Sequence, residues 1–146
     1  MEIVFSVTGV TVSPNLHPKG LLDTSVLIDI VHARNTIGLP LQSVISSITL
    51  AELSYGIAVA TDPLEATRRA QRYARITTWL QPLPFDRPAA DAYGELAAAV
   101  LAAGRSPRPR RFDLLIAAVA ASQSLPLYTL NPSDFIGLES MVTIVG

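Results

Sequence analysis

The chain has 146 residues, 49% hydrophobic and 16% charged, with 11 Lys+Arg against 12 Asp+Glu and no cysteine. That is the length of one domain, too apolar to stay disordered. The missing cysteine excludes a disulfide framework, a thiolate metal site and a cysteine nucleophile, and it fits a cytoplasmic protein. A formal net charge of -1 gives no global pull toward nucleic acid or an anionic membrane, so a polyanionic partner must be met by a local patch. Every hydrophobic run is interrupted short of the roughly 20 residues of a spanning helix.

Residues 1–19 mix β-branched residues with Ser13, Pro14, Asn15, His17 and Pro18 and show no helical period, so they read as a loosely ordered N-terminal extension. Glu2 and the polar Ser6 and Thr8 argue against a signal peptide. From Gly20 onward short apolar runs alternate with helical patterns, the signature of an α/β domain over 20–146 with a mainly parallel sheet of about five strands. Gly20–Asp23 reads as the first strand, followed by a helix from about Ser25 to Arg34 capped by Thr24 or Ser25. Val44–Ser46 is the second strand, and Thr49 with Glu52 fits a capping box opening a helix to about Ala60. Pro63 opens another helix to about Leu80, with Arg68, Arg69, Arg72 and Arg75 at helical spacing on a solvated face.

Pro82–Phe85 is a Pro-limited third strand, and Asp86 caps an Ala-rich helix that runs through Ala103 and stops at Gly104. Arg105–Arg111 reads as a Pro-stiffened basic loop. Asp113 then begins a helix, Leu114 to Ser124, apolar on every side and therefore expected to be buried centrally. Leu127–Leu130 is the fourth strand, residues 131–135 a turn or single helical turn, and Met141–Val145 the fifth strand.

Among the 12 acids, Asp23, Glu52, Asp113 and Asp134 stand out by position. Each has a structural reading: Asp23 as a helix cap, Glu52 as the capping-box carboxylate, Asp113 as a first-turn complement to the helix dipole, Asp134 as turn chemistry. Their placement supports another. In an open α/β sheet ligands bind beyond the carboxyl ends of the strands; Asp23, Glu52 and Asp134 follow such ends, and Asp113 sits on the helix leading into the fourth strand. Capping alone gives no reason for such acids to gather at one end of a sheet, whereas a divalent cation between them does. All-oxygen donors favour Mg²⁺ or Mn²⁺ over zinc, and His17 and His32 read as surface residues away from the cluster. The chemistry expected is metal-activated water attacking a phosphorus centre, hence phosphodiester hydrolysis.

Leu21-Leu22-Asp23-Thr24-Ser25-Val26-Leu27-Ile28, Ile48-Thr49-Leu50-Ala51-Glu52-Leu53-Ser54-Tyr55-Gly56, Phe112-Asp113-Leu114-Leu115-Ile116-Ala117-Ala118 and Thr129-Leu130-Asn131-Pro132-Ser133-Asp134-Phe135 resemble, in order and spacing, the motifs of the PIN-domain ribonucleases, and within them the VapC-type toxins of bacterial toxin–antitoxin pairs. Leu83-Pro84-Phe85-Asp86 is similar to an inter-motif stretch of that family. The resemblance spans residues 20–145 and implies a three-layer α/β/α fold and a metal-dependent endoribonuclease. It implies Asp23 and Asp113 as the firmest ligands of Mg²⁺ or Mn²⁺, Glu52 holding a metal-bound water or orienting the nucleophile, and Asp134 serving a second or substrate-filled metal position. Thr24 or Ser25 would orient Asp23 by a hydrogen bond, and Asn131 would position an acid or a phosphate. A homodimer and a small VapB-like antitoxin occupying the active-site groove are implied as well. The chain departs from the family at its start, where 22 residues precede Asp23, and residues 1–19 are assigned no function.

A nuclease must hold a polyanion beside carboxylates, and Arg105, Arg108, Arg110 and Arg111, leading directly into Asp113, are the expected RNA-binding residues, joined by some of Arg68, Arg69, Arg72 and Arg75. A merely solvated arginine face is the plain alternative for that helix. The aromatics Trp79, Tyr55, Tyr73, Tyr93 and Tyr128 are scattered, so recognition by RNA shape and backbone is expected. A phosphatase or phosphoreceiver domain would need a lysine near the phosphoryl group, and the lone Lys19 precedes the first strand. A catalytically idle module that binds antitoxin or nucleic acid is opposed by the presence of all four acids.

Overall fold

The computed structural model describes residues 17–34 and 36–146. Five strands, β1 (Lys19–Leu22), β2 (Gln42–Ser46), β3 (Pro82–Leu83), β4 (Leu127–Tyr128) and β5 (Ile144–Val145), alternate with helices α1 (Thr24–Val31), α2 (Ser47–Ala58), α3 (Pro63–Trp79), α4 (Arg87–Ala102) and α5 (Arg111–Ser122). The sheet has the order β3-β2-β1-β4-β5, and every pairing is parallel. The chain therefore builds outward from β1 to β3, then returns to add β4 and β5 on the other side. The reversal falls between β1 and β4, the position beyond which open α/β sheets bind their ligands.

The period of two along each strand sorts the core into two faces. Leu21, Val44, Leu83, Leu127 and Ile144 pack with α4 and α5, including Leu96, Val100 and Ile116. Their neighbours Leu22, Ile45, Tyr128 and Val145 pack with Val26 and Leu27 of α1, Leu50 and Leu53 of α2, and Ile76 and Leu80 at the end of α3. This is the three-layer arrangement expected. Leu21 and Leu22 are both 0% exposed, and burying each stabilises the fold by about 2–3 kcal/mol. A slip of one residue in β1 would send each to the wrong face, so the two leucines also fix where Asp23 emerges. Only glycine fits at position 20, because a Cβ there would run into the Tyr128 ring and Pro40.

The α5 segment Ile116–Ala120 is wholly buried against α4, as its all-round apolar sequence requires. Gly104, at φ 73°, follows the Ala103 C-cap of α4 in the left-handed region. Several boundaries differ from the sequence reading. The cap of α1 is Asp23, not Thr24 or Ser25. The basic segment is not a loop throughout: Arg108–Arg110 is a 3₁₀ turn running straight into α5, which begins at Arg111. The extension assigned to 1–19 lies mostly outside the described residues, but its last three join the sheet. Lys19 belongs to β1, and the carbonyls of His17 and Pro18 accept from Leu41 and Gln42.

Candidate active site

Asp23 follows β1 and caps α1, with Oδ1 accepting from the Thr24 amide at 2.8 Å. Its Oδ2 accepts from Ser25 Oγ and from Thr129 Oγ1, both at 2.9 Å. Those two hydroxyls are themselves held by backbone amides just past β4, since Leu130 N–H donates to Ser25 Oγ at 3.2 Å and Asn131 N–H to Thr129 Oγ1 at 3.0 Å. A hydroxyl that accepts from an amide has its single proton free to donate elsewhere, and both protons here go to Asp23. The carboxyl ends of β1 and β4 are thus stitched together at the topological reversal. Asp23, 5% exposed, has the donors a buried carboxylate requires.

Glu52 stands one strand over. The cap of α2 is Ser46, whose Oγ accepts from the Thr49 amide at 3.2 Å. The expected Thr49–Glu52 capping box does not form, because the helix starts three residues earlier and Glu52 lies in its second turn. Glu52 is free to turn to the site, where Thr24 Oγ1 donates to its Oε1 at 2.7 Å. Thr49 Oγ1 is 3.0 Å from Thr24 Oγ1; as Thr24 has given its proton to Glu52, Thr49 is the donor of that pair. Burial pushes the Glu52 carboxyl above its ordinary range, the Thr24 hydrogen bond works against this, and the charge of Asp23 adds to it.

Asp113, in the first turn of α5, carries the largest perturbation. Burial raises it first, and the charges of Asp23, Asp134 and Glu52 raise it further, to about 6, with Arg110 partly offsetting them. The four acids named by the sequence therefore share one electrostatic neighbourhood. Asp134 sits in a 3₁₀ turn, Pro132–Phe135, after β4. Arg110 Nη1 lies 3.4 Å from its Oδ1 and donates to the Ser133 carbonyl at 3.0 Å, while Arg105 Nη1 donates to the Ile136 carbonyl at 3.2 Å. Both side chains thus anchor the Asp134 turn to the basic segment, and Arg108 and Arg111 remain exposed.

The secondary roles fall out differently from the sequence reading. Ser25 does orient Asp23, but Thr24 does so through its backbone amide and spends its hydroxyl on Glu52. Asn131 contributes its amide, to Thr129, and its residue is exposed. Thr129 and Thr49, both 0% exposed, were missed: Thr129 lay inside a strand motif and Thr49 looked like a cap. His17 is not merely a surface residue, since its ring meets Tyr128 edge-on at 6.3 Å between centroids. Arg69 is drawn out of the solvated face by its bonds to Glu65 and to the Gly56 carbonyl.

A divalent cation fits this donor set. The nearby groups are oxygens, and Asp113 is raised first by burial and then by three neighbouring negative charges, which a cation would offset. Among the described residues, no group of three or more His, Cys, Asp or Glu is arranged to hold a metal by itself.

The PIN domain family matches residues 20–135. The chain is 37% identical over 130 residues to Ribonuclease VapC5 of Mycobacterium tuberculosis, which covers 86% of this chain and 91% of that protein. Among solved structures it is similar to VapBC-5, a VapBC-family toxin–antitoxin system from Mycobacterium tuberculosis, with a TM-score of 0.71 and 30% identity over 88% of this chain and 96% of that one. A DNA-bound VapBC from Salmonella typhimurium superposes with a TM-score of 0.65 at 26% identity, covering 87% of this chain and 96% of the other. FitAcB from Neisseria gonorrhoeae gives 0.68 at 24% identity over 86% and 96%, a likeness of fold.

Proposed function

The chain belongs to the PIN-domain family and, within it, to the VapC ribonucleases of VapBC toxin–antitoxin systems, and from that premise we propose that it hydrolyses RNA phosphodiester bonds endonucleolytically with Mg²⁺ or Mn²⁺ held by Asp23 and Asp113. The observation that carries this reading is placement: Asp23 and Asp134 follow β1 and β4, Glu52 accepts from the Thr24 hydroxyl next to Asp23, and Asp113 opens α5, where burial and then the charges of the other three raise it. When bound, the cation supplies an activated water and charge neutralisation at the phosphate.

The protein's own groups supply the rest. Asp23 is locked in orientation by Thr24, Ser25 and Thr129, so a ligand bound to it costs little reorganisation. Glu52 has Oε1 occupied by the Thr24 hydroxyl and Oε2 available to take a proton from the attacking water, a task suited to a carboxyl whose affinity for protons is raised. Asp134, held by Arg110, borders the position of the substrate phosphate. Arg108 and Arg111, exposed in the segment that leads into Asp113, are available to the RNA backbone, and Arg110 stands against Asp134. The solved relatives are toxin–antitoxin complexes, which supports a VapB-like antitoxin as partner. A homodimer located in the cytoplasm completes the proposal, and among the described residues no helix is long and apolar enough to cross a membrane.

The test is RNA cleavage by purified protein with Mg²⁺ or Mn²⁺ and an EDTA control, beside Asp23→Asn and Asp113→Asn. Cleavage that needs metal and is lost in both variants is expected. Cleavage persisting in EDTA, or undiminished in both variants, refutes the mechanism.

A further inference from the structure

Thr24 and Glu52 also form one wall of a cavity of about 460 Å³ between α1, α2 and α3. Glu52 is the one acid of the four that lines it, Glu65 of α3 is a second carboxylate in its wall, and none of Arg105–Arg111 takes part. His32, at the end of α1, lines it two turns beyond Thr24, and α3 contributes Arg69, Arg72 and Tyr73. The arginines differ in what they have left to offer. Arg69 pairs with Glu65 at 3.0 Å and donates to the Gly56 carbonyl at 2.6 Å, which fixes α3 against α2 and holds the cavity open. Arg72, one turn on, has no ion-pair partner among the described residues.

We infer that this cavity is a nucleotide subsite, receiving one nucleotide of the RNA strand next to the scissile phosphate, with Arg72 on the phosphate and the rings of Tyr73 and His32 against the base. The inference rests on the RNA-cleaving function proposed above and names where that substrate is read. Its volume lies within the roughly 300–1,000 Å³ of pockets that enclose small ligands, a range that includes one nucleotide. Its make-up, a cation with no partner beside aromatic rings, is what single-stranded RNA recognition uses, since every base offers a face to stack and every phosphate a charge. Its position is the strongest point. A nucleotide seated against Thr24 and Glu52 brings its linking phosphate to the acids without the chain having to bend around another element. The aromatics that look scattered in the sequence are therefore not all scattered in space: α3 brings Tyr73 to the same cavity that His32 lines.

The test compares wild type with Arg72→Ala, Arg72→Lys and Tyr73→Leu, each shown by thermal melting to be folded. Cleavage kinetics are measured on a single-stranded RNA carrying a mapped cut site. Binding of the same labelled RNA is measured with each substitution placed in the Asp113→Asn background. Arg72→Ala is expected to raise KM by about tenfold, with a smaller effect on kcat, and to flatten the log–log salt dependence by about 0.7 for one single-strand phosphate contact; Arg72→Lys should restore most of both. Tyr73→Leu should weaken binding by about 5- to 20-fold. An abasic residue walked along the RNA should weaken wild-type binding at one position next to the cut and leave Tyr73→Leu binding unchanged there. Wild-type cleavage with KM and site preference unaltered in Arg72→Ala and Tyr73→Leu overturns the subsite and leaves the ribonuclease standing. Absence of any wild-type cleavage refutes the function, and the binding arm then decides the subsite alone: equal RNA affinity in all variants overturns it. Variants that keep wild-type RNA kinetics yet escape inhibition by an antitoxin peptide assign the cavity to that partner and overturn the subsite as well.

Discussion

Replacing Asp113 by Asn should make the metal-free protein more stable while abolishing its activity. The folded-state pKa of Asp113 is raised from 3.8 to about 6, so above pH 6 the native state holds a charge it disfavours and the unfolded chain does not. Two units at 1.36 kcal/mol each give about 3 kcal/mol; Asp113 is only half-buried, and solvent screening reduces this to about 1–2 kcal/mol. Because the raised carboxyl takes up its proton as pH falls from about 6 toward 4, wild type regains this stability over that window, whereas the Asn variant has nothing to regain. Urea denaturation in EDTA should therefore show Asp113→Asn more stable than wild type at pH 7.5, with the gap closing by about pH 4. Saturating Mg²⁺ should reverse the order, because an ion at 100 times its Kd stabilises wild type by about 2.7 kcal/mol and loses a ligand in the variant. An Asn variant no more stable than wild type at pH 7.5 in EDTA, or a gap that persists unchanged at pH 4, would refute the reading that burial and the neighbouring carboxylates together disfavour the Asp113 charge in the folded state.

Thr129→Val removes a donor to a buried carboxylate and leaves the Asn131 amide without its acceptor. It should cost about 2 kcal/mol in urea titrations and weaken Mg²⁺ binding by calorimetry, while Thr129→Ser retains most of both; equal losses in Val and Ser would make the role one of packing. Asp29, 2% exposed, accepts from the Thr36 amide at 2.7 Å and hydroxyl at 2.9 Å and pairs with Arg34 at 3.1 Å. The Thr36 amide is the largest cause of its depressed pKa, so the stability it contributes is present above the ordinary carboxylate range and lost as pH falls through the depressed value. Asp29→Asn should melt earlier at pH 7 and converge on wild type in strong acid, and a pH-independent gap would exclude linkage through this group. Arg108→Ala with Arg111→Ala should flatten the salt dependence of RNA binding by about 0.7 per lost phosphate contact, and an unchanged slope would remove the basic segment from the RNA path.

How the site could be read from sequence follows from which features are local. Asp23 was legible because a strand followed at once by an acid and a helix is a contiguous pattern. Its partners were not, because Thr129 reaches it only through the β1–β4 pairing, across 106 positions of sequence. The same distinction explains the basic segment. Its charge density is plain in the sequence, but that two of its arginines would turn back to hold the Ser133 and Ile136 carbonyls depends on where the turn after β4 comes to rest. The misplaced cap of α2 has a local cause: Ser46 and Thr49 are both competent N-caps, and choosing between them requires knowing that β2 ends at Ser46.

The hydroxyls decide how the site can be stable before a metal arrives. A cluster of carboxylates at a strand reversal destabilises the fold, and Asp113 shows that cost directly. Amides and hydroxyls at the ends of β1 and β4 point donors at Asp23, and Thr24, itself accepting from Thr49, donates to one oxygen of Glu52. Among the described residues no hydrogen bond reaches the Asp113 carboxylate, and only the charge of Arg110 works in its favour. Asp113 and Glu52 are both raised, Asp113 to about 6, so a cation that relieved Asp113 would draw on that penalty in binding. A site in which every acid were equally satisfied by the protein would hold a metal less well; one in which none were would not fold around its own charges.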